Sequence, residues 1–546
     1  NSSPYVTTPS YLEAVQSQLP ALQLLINMGW EYLSPEECFE LRGGRLGSAL
    51  LEPLLTDHIR NTCRFEFKGA VHPFTENAIQ AAVQELKKQR PTGATWQNEE
   101  AYDLLCLGTS ARQTIEGDTK SFNIRYVDWG KPENNSYHCT AEFKVERIGH
   151  QKHYIADIVL FVNGIPVTVM ECKRSAYTDP NKKPVDMAIA QLADYQAPEG
   201  IPQLFLYSQL LLALARDKAE YGTTGTPRKF WSGWREENAD AEIRDLIGTT
   251  LPDDQLNKLL DDGPFKANRQ AFEKLLKEGR MIYEQDRTLY GMCRPDRLLE
   301  LMYQFILFDN GIKKIARYQQ FFTVKDILKR VCAVKNGEPR NGGVVWHTQG
   351  SGKSLTMVML AKALALSKAI ESPRIILVTD RVDLDDQIWG TFAACGLKPE
   401  QANTGAHLVE MLTDGKRHVI TTLIHKFAAA TAGSGLKEAD PNTFVLVDES
   451  HRSNYSEHHA RMKLALKGAC FIGFTGTPLA KDPKKNTFAQ FGELFKPAYT
   501  ISRAVRDKAV VPLVYEARHI PQPVQKAEID GWFERLTSPL NEEQKA

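Results

Sequence analysis

The sequence lacks long apolar runs, closely paired cysteines and any excess of charge. No apolar stretch approaches the roughly 20 residues of a membrane-spanning helix, so we expect no membrane span. The nine cysteines are scattered and form no C-x-x-C pair, which favours reduced thiols and a cytoplasmic protein. Lys and Arg total 67, as do Asp and Glu, and this balance excludes a strongly basic, histone-like binder of nucleic acid. It does not exclude DNA binding, which needs only local positive charge.

The 546 residues suffice for three or four domains of roughly 150 residues each. Helices and short strands mix up to about residue 220, where a stretch rich in Gly, Thr, Pro and Trp breaks the pattern. A charged helical stretch follows, and then continuous apolar strands alternate with helices, which is typical of a parallel sheet covered on both faces. We therefore predict a multidomain α/β protein, with a mixed domain over 1–235, a helical connector over 236–310, a parallel-sheet domain over 311–508 and the start of a further unit over 509–546.

An apolar hairpin near residue 160 carries acidic residues on both strands. A two-residue turn at Asn163–Gly164 would place Asp157 opposite Met170 and leave Glu171 on the other face. A three-residue loop that includes Ile165 would place Asp157 opposite Glu171. We predict the three-residue loop, because it brings both carboxylates to one face of the hairpin.

Two adjacent carboxylates repel each other unless a cation lies between them. Asp157 and Glu171 therefore predict a divalent metal site, most simply for Mg²⁺, which prefers oxygen ligands. Lys173 shares their face of the strand and could stabilise charge that develops on a phosphate. This set suits phosphodiester hydrolysis, whereas the simpler alternative is a salt-bridged surface hairpin.

A short helix follows the hairpin, with Gln191 and Tyr195 four residues apart on one face. Together with the hairpin, this helix resembles the PD-(D/E)xK nuclease fold with the Q-x-x-x-Y element of its RecB-like branch, over roughly 10–220. The resemblance implies that the acid–acid–lysine set is catalytic and that Gln191 and Tyr195 position DNA. Such nucleases often carry another acid on the first helix, where Glu13 is the best candidate. Cys172 should point away from the site.

A strand, a Gly-rich loop and a helix follow one another in "VVWHTQGSGKSLTMVML". Gly350, Ser351 and Gly352 form a loop whose backbone N–H groups can close around phosphates at the helix N-terminus. Lys353 would reach the β- and γ-phosphates of ATP, and Ser354 would ligate Mg²⁺. The strand–loop–helix context makes this a specific signal for nucleotide binding.

The strand "TFVLVDESH" ends in further acidic residues about ninety residues downstream. Asp448 would bind the Mg²⁺ of ATP, and Glu449 would orient the water that attacks the γ-phosphate. His451 would connect the ATP site to the side of the domain that contacts DNA. Thr475 and Thr477, in "FIGFTGTP", could couple the phosphate state to movement on the nucleic acid.

The domain resembles a helicase motor, and the resemblance implies that three of its residues contact the nucleic-acid backbone: Arg381, Thr421 and Thr422. Upstream of the Gly-rich loop, Gln319 or Gln320 could hydrogen-bond adenine, and the spacing favours Gln320. For each of these residues the alternative is an ordinary helix start, strand end or helix surface.

These motifs together resemble the first RecA-like lobe of a superfamily 2 helicase motor, over about 311–508. A nuclease followed by such a motor resembles the restriction (R) subunit of a type I restriction–modification enzyme. The resemblance implies ATP-driven translocation on double-stranded DNA, cleavage of unmodified DNA, and assembly with methyltransferase (M) and specificity (S) subunits. The alternatives are a repair-type helicase–nuclease without methyltransferase partners, and a non-enzymatic, ATP-gated DNA clamp.

The sequence also predicts an incomplete motor. Too few residues follow Ala509 to build a second lobe of on the order of 150 residues, so we expect an N-terminal fragment of a longer protein. The transition-state arginine that a second lobe supplies would be missing. We therefore expect no displacement of a DNA triplex when this chain alone is given ATP and duplex DNA. Processive displacement would show that the motor is complete.

Overall fold

Two six-stranded sheets, each covered by helices, organise the chain. The computed structural model describes residues 11–88, 95–177, 179, 181–261, 263–334, 337–414, 419–428, 440–448, 455–478, 486–511 and 526–539. No helix within these ranges combines the length and the apolar character that crossing a bilayer requires.

The strands alternate along the chain between hairpins and helix-connected units. They are β1 (Glu31–Tyr32), β2 (Arg64–Phe67), β3 (Ala70–Pro73), β4 (Thr109–Ile115), β5 (Asp118–Ile124), β6 (Tyr137–Glu146), β7 (His153–Val162), β8 (Ile165–Lys173), β9 (Leu210–Ala215), β10 (Lys218–Gly222), β11 (Ile306–Asp309), β12 (Ile312–Ile315), β13 (Gly343–Trp346), β14 (Arg374–Thr379), β15 (Glu400–Gln401), β16 (Val419–Leu423), β17 (Thr443–Asp448) and β18 (Cys470–Thr475).

The helices cover both sheets and fill the stretch between them. They are α1 (Tyr11–Glu13), α2 (Leu19–Asn27), α3 (Pro35–Leu41), α4 (Glu52–Thr62), α5 (Glu76–Lys87), α6 (Thr95–Leu107), α7 (Pro184–Gln196), α8 (Pro202–Phe205), α9 (Asp240–Gly248), α10 (Asp253–Leu260), α11 (Arg269–Glu278), α12 (Glu284–Cys293), α13 (Pro295–Gln304), α14 (Tyr318–Cys332), α15 (Lys353–Leu366), α16 (Val382–Ala394), α17 (Gly405–Asp414), α18 (Tyr455–Ala465), α19 (Thr487–Phe491), α20 (Ile501–Arg506) and α21 (Lys526–Thr537). A π-helical segment, Ala14–Gln18, joins α1 to α2.

The first sheet is mixed, in the order β1-β6-β7-β8-β9-β10. Its centre is the antiparallel set β6–β7–β8, and β9 adds to β8 in parallel. Residues of α2 pack in the core on one side and residues of α7 in the core on the other. Because both faces are covered, all nine residues of β8 are buried, so the strand reads as a continuous apolar run with polar exceptions.

The β7–β8 connection is a two-residue turn, so the predicted three-residue loop is wrong. Val162 pairs with Ile165, leaving only Asn163 and Gly164 in the turn. Both turn residues have positive φ, 52° and 77°, as a type I′ hairpin turn requires. The Asn side chain tolerates this conformation, and it also accepts a hydrogen bond from the backbone N–H of Ser136 at 2.8 Å.

A β-bulge then restores the pairing that the three-residue loop was meant to produce. Phe161 pairs with Pro166, whereas Leu160 pairs with Thr168, so Val167 is the extra residue on β8. The shifted register continues to the pair Ile158–Met170 and brings the preceding residue, Asp157, opposite Glu171. The turn and the bulge together therefore give the same facing pair as the predicted loop.

Helices α9–α13 link the first sheet to the second by packing on α2 and its neighbours. The side-chain amide of Gln23 donates to the carbonyl of Ile247 at 2.8 Å, and the indole N–H of Trp30 donates to the carbonyl of Cys293 at 2.8 Å. These buried contacts join the first domain to the helices that follow it.

The second sheet is entirely parallel, in the order β13-β18-β17-β14-β16-β15. β14 and β17, at its centre, are almost continuously buried, as the apolar runs predicted. In a parallel sheet the carboxyl ends of all strands lie at one edge, and ligands bind in the crevice outside that edge. The predicted α/β fold class with a parallel second sheet is confirmed.

The Asn163–Gly164 turn offers a test of the hairpin geometry. A Cβ atom at Gly164 would lie 2.4 Å from the carbonyl oxygen of Leu51, whereas one at Gly117, which has a similar positive φ, would meet nothing within 4 Å. Gly117→Ala should cost about 1 kcal/mol of stability through backbone strain alone. Gly164→Ala should cost more than about 3 kcal/mol, because the clash with Leu51 adds to the strain. Urea unfolding measures both, and equal losses would contradict the close approach of Leu51.

Candidate active site

The structure brings the three predicted hairpin residues together at the end of the first sheet. The ammonium of Lys173 donates to Glu171 Oε1 at 2.6 Å and to the backbone carbonyl of Cys172 at 2.9 Å. Asp157 Oδ2 accepts a hydrogen bond from the backbone N–H of Cys172 at 2.6 Å. The three side chains are buried, and Cys172 packs in the core as predicted.

One ammonium serves two buried carboxylates in this cluster. Burial raises the pKa of Asp157, and Lys173 only partly opposes that rise. Burial and the charge of Asp157 together raise the pKa of Glu171 well above its ordinary value. Burial lowers the pKa of Lys173, but the two carboxylates outweigh it and raise that pKa overall. The cluster is therefore short of positive charge.

The oxygen atoms of the cluster fit a divalent cation such as Mg²⁺. Glu171 Oε2 is buried and has no hydrogen-bond partner among the described residues. The Lys173 ammonium already lies between two oxygens, one from Glu171 and one from the Cys172 carbonyl, so this position accepts a cation. The described residues contain no group of three or more His, Cys, Asp or Glu arranged to hold a metal. The two carboxylates and a backbone carbonyl could hold Mg²⁺ with water completing the set, since Mg²⁺ prefers oxygen ligands.

Glu13, the candidate for an additional acid on the first helix, lies close enough to interact with this cluster. It ends α1 and is half-buried. Burial raises the pKa of Glu13 to about 7, with Lys173 lowering it and Asp157 raising it further. The π-helical segment that follows Glu13 is a rare conformation that occurs frequently at functional sites.

Sequence reasoning missed two buried polar residues beside Asp157. Gln18, at the end of the π-helical segment, donates to Glu142 Oε1 at 3.0 Å, and its hydrogen bond to Asp157 lowers the pKa of that carboxyl. Glu142 is buried on β6 with a positive φ of 51°. Glu142 could have been noticed as an acid inside a predicted strand, whereas Gln18 gave no signal.

Gln191 and Tyr195 form a pair, but Tyr195 faces the interior. Its side chain is 3% exposed, and its hydroxyl donates to the carbonyl of Ile155 at 2.6 Å. The Gln191 amide in turn donates to that hydroxyl at 2.5 Å. The pair fixes β7 two residues before Asp157, and its role in positioning DNA stays a prediction.

The second sheet builds a phosphate-binding geometry at the carboxyl end of its strands. Lys353 Nζ lies 3.4 Å from Asp448 Oδ1, so the two predicted nucleotide-binding residues meet. They come together because β13 and β17 run in parallel and end at the same edge. The predicted water-orienting residue Glu449 and the predicted bridging residue His451 lie outside the described residues.

The loop before α15 has the backbone that phosphate binding needs. Gly350 and Gly352 have φ of 81° and 90°, a left-handed conformation that glycine adopts at little cost. Ser351 Oγ donates to the carbonyl of Thr348 at 2.5 Å, which tightens the loop. Ser354 lies in the first turn of α15, as the prediction of a Mg²⁺ ligand requires.

His347 stands where the consensus phosphate loop has its first glycine. It is fully buried, its ring nitrogen lies 3.1 Å from Thr323 Oγ1, and burial lowers its pKa to about 3. Its backbone N–H donates to the carbonyl of Thr475 at 3.0 Å. Thr475 Oγ1 in turn accepts from the N–H of Thr477 at 3.1 Å, so the predicted coupling segment is attached to the phosphate loop.

The two glutamines on α14 are in different environments. The Gln320 amide donates to the carbonyl of Gly352 at 3.1 Å and accepts from the N–H of Arg317 at 2.9 Å. Gln319 is buried, and neither of its amide atoms has a hydrogen-bond partner among the described residues. Gln320 therefore contacts the phosphate loop directly, and its reading of adenine stays a prediction.

The three predicted backbone contacts differ in exposure. Arg381 is exposed before α16, with its guanidinium 2.7 Å from Asp383. Thr421 and Thr422 are fully buried in β16. Contact of these two threonines with DNA is therefore corrected, because neighbouring strands and helices cover both side chains.

Two family models match separate parts of the chain. Residues 10–230 match the family described as "Type I restriction enzyme R protein N terminus", and residues 319–546 match the "SWI2/SNF2 ATPase" family. The chain is therefore similar to type I restriction enzyme R proteins in its first part and to SWI2/SNF2 ATPases in its second part. Its nuclease-like hairpin lies in the first match, and its phosphate loop lies in the ATPase match.

Curated proteins similar to this chain carry names that agree with the first family match. It is 29% identical over 456 residues to the putative type I restriction enzyme MjaIXP endonuclease subunit of Methanocaldococcus jannaschii, covering 80% of this chain and 40% of that protein. It is 29% identical over 556 residues to the type I restriction enzyme HindI endonuclease subunit of Haemophilus influenzae, covering 96% and 48%. The chain thus spans about half the length of the curated relatives it matches.

Solved structures overlap this chain only in part. A nuclease-deletion mutant of the type ISP restriction–modification enzyme LlaGI, in complex with a DNA substrate mimic, gives a TM-score of 0.28 at 18% identity, over 41% of this chain and 22% of that one. The SWI2/SNF2 ATPase core of Sulfolobus solfataricus, in complex with double-stranded DNA, gives 0.22 at 14% identity, over 30% and 31%. Overlaps with such low TM-scores give no information about the activity of this chain.

The raised pKa of Glu13 predicts a pH dependence of stability. The folded state favours the protonated acid, so its stabilising contribution is complete below pH 4.5 and is lost as the pH rises through about 7. In metal-free buffer, Glu13→Gln should therefore reduce the fall in unfolding free energy across that range. Urea unfolding at several pH values measures it, with the exposed Glu40→Gln as control. An unchanged pH dependence in Glu13→Gln would contradict the placement of Glu13 beside the cluster.

Proposed function

We propose that this chain is the part of a type I restriction subunit that cuts unmodified double-stranded DNA and binds the ATP that drives DNA translocation. It would act in a complex with methyltransferase and specificity subunits. The observation that carries the proposal is the Lys173 ammonium held between Glu171 and the Cys172 carbonyl opposite Asp157. The family match of the surrounding domain supports it.

The proposal divides the chain into four segments. We assign 1–235 to the nuclease domain, 236–310 to a helical connector, 311–508 to the first RecA-like lobe and 509–546 to the start of a second lobe. The two family matches, over 10–230 and 319–546, support the first and third assignments. The packing of α9–α13 on α2 supports a connector that is fixed to the nuclease domain.

In the nuclease reaction, Asp157 and Glu171 would hold Mg²⁺ together with the Cys172 carbonyl. Bound Mg²⁺ supplies Lewis-acid polarisation of the scissile phosphodiester and lowers the pKa of an attacking water. Lys173 would release the Cys172 carbonyl and direct its ammonium at the charge that develops on the phosphate. Gln18 would hold Asp157 in its ionised form through the hydrogen bond between them.

In the motor, the loop over 350–352 would hold the phosphates of ATP with its backbone N–H groups. Lys353 lies 3.4 Å from Asp448 and would move onto the β- and γ-phosphates. Ser354 and Asp448 would ligate the Mg²⁺ of ATP. Arg381, exposed at the start of α16, remains the described candidate for a contact with the DNA backbone.

The alternatives fit the structure less well. A DNA clamp without nuclease activity needs no buried Asp157–Glu171–Lys173 cluster, and burying such charges costs several kcal/mol per ion before they interact. A repair-type helicase–nuclease would use the same residues but no methyltransferase partner. The names of the curated relatives favour the restriction subunit.

Two variants should separate DNA cleavage from ATP hydrolysis. In the complex assembled with its partner subunits, Asp157→Ala should reduce DNA cleavage roughly a hundredfold or more, because metal-ion stabilisation is worth several kcal/mol. ATP hydrolysis should persist in this variant. Lys353→Ala should abolish both ATP hydrolysis and the cleavage that depends on it. Plasmid cleavage and phosphate release measure the two activities, and normal cleavage by Asp157→Ala would overturn the metal-site proposal.

A further inference from the structure

The nuclease cluster lies at one end of the first sheet, and a hairpin projects beyond that end. Asp157 is near the start of β7, and Glu171 and Lys173 are at the end of β8. β6 is antiparallel to β7, so it finishes at the same end. The β6–β7 connection, 147–152, therefore extends past the cluster on its β6 side.

A groove of about 1130 Å³ lies between this hairpin and the loop that follows α3. Four cations line it: Arg45, Lys87, Arg147 and Lys152. Apart from Lys87, none of them forms a salt bridge with a described residue. Arg45 and Lys152 are exposed. Two acids line the groove: Glu52, which Lys87 neutralises at 2.7 Å, and Glu146, which offsets one of the three remaining cations. The groove therefore carries net positive charge in a chain whose total charge is zero.

A chain of ring contacts joins the groove to the nuclease cluster. The Arg147 guanidinium lies 4.6 Å from the ring centroid of Tyr154, and that ring lies 5.1 Å from the ring of Tyr195. The Tyr195 hydroxyl bonds the carbonyl of Ile155, two residues before Asp157. Arg147 is thus fixed in place, with its guanidinium stacked over a ring whose neighbour supports β7.

Further cations lie on the other side of the cluster, in the segment that follows β8. Arg174 lies over the ring of Tyr177 at 4.0 Å, and Lys182 approaches the same ring at 5.9 Å. Lys183 is exposed just before α7. Cations thus flank the acidic cluster on both sides.

We propose that the groove binds the phosphate backbone of the duplex that the nuclease cluster cuts, through Arg45, Arg147 and Lys152. The inference rests on the proposed nuclease function and assigns the substrate contacts of that same site. Carboxylates repel a polyanion, so a nuclease centre built from them needs flanking cations to hold DNA near it. Duplex DNA carries one charge per roughly 1.7 Å, so a groove with spaced cations can contact several phosphates.

Charge reversal at the exposed cations tests the groove. Lys152→Glu and Arg45→Glu should leave the fold intact, because both side chains face solvent and make no salt bridge with a described residue. The matched control is Lys131→Glu, an exposed lysine before the opposite end of β6. Ten residues of strand separate the two ends by about 33 Å. Fluorescence anisotropy of a labelled duplex with the whole chain, without ATP and with a chelator to prevent cleavage, measures binding.

Each groove variant should bind the duplex roughly three- to tenfold more weakly at low salt, and its slope of log K against log salt should fall by about 1. Lys131→Glu should bind as the wild type does. Groove variants that bind like Lys131→Glu would overturn the proposal, even if Mg²⁺-dependent cleavage is found. Weaker binding by the groove variants in a protein that cuts no DNA would support the groove while refuting the nuclease function, so the two failures are distinguishable.

Discussion

The first domain depends on one electrostatic constraint, two buried carboxylates that share one ammonium. Removing a carboxylate from water costs several kcal/mol, and one lysine offsets that cost for one partner only. Lys173 bonds Glu171, so Asp157 relies on the backbone N–H of Cys172. The remaining demand for positive charge raises the pKa of both acids, and a metal ion with oxygen ligands would satisfy it.

Local irregularities in the sheet place these charges. Val167 is an extra residue that brings the two acids opposite each other. On β7, Ile158 packs into one core and Ala156 into the other, so the strand rotates at Asp157. Glu142, on the neighbouring strand, adopts a left-handed conformation that residues other than glycine rarely hold. Bulges and strained backbone concentrate at functional sites, where they aim particular side chains.

The sequence predicted correctly that Asp157 and Glu171 face each other. It predicted the wrong cause, because a bulge at Val167 shifts the register and not a three-residue loop. Alternation with a period of two shows that one residue must be added, yet it does not show where, because a turn and a bulge shift the register equally. Val167 is an ordinary strand residue, so the sequence offered no sign of the bulge. Gln18 and the interior position of Tyr195 follow from helix packing, which local patterns do not encode. The phosphate loop could be predicted from the sequence, since Gly350 and Gly352 have a spacing that few other structures need.

The domain of the first sheet and the domain of the second sheet also share a packed interface. Helix α15 begins in the phosphate loop, and its Lys362 donates to the Tyr102 hydroxyl of α6 at 2.9 Å. Lys313, on β12, is buried against the side-chain oxygens of Asn98 and Gln209. Burial lowers the pKa of Lys313 well below its ordinary value, so this contact relies on hydrogen bonds and not on an ion pair. The proposed nuclease domain is therefore attached directly to the helix that would contact ATP.

The most direct test of the account is Mn²⁺ binding to the nucleotide-free chain, because Mn²⁺ and Mg²⁺ favour the same oxygen ligands. Asp448→Asn should be present throughout, to remove the metal ligand of the motor. Electron paramagnetic resonance then counts the bound ions. We expect one ion per chain, and we expect Glu171→Gln to lose it. Equal Mn²⁺ binding with and without Glu171→Gln would contradict the claim that the buried carboxylates form a metal site.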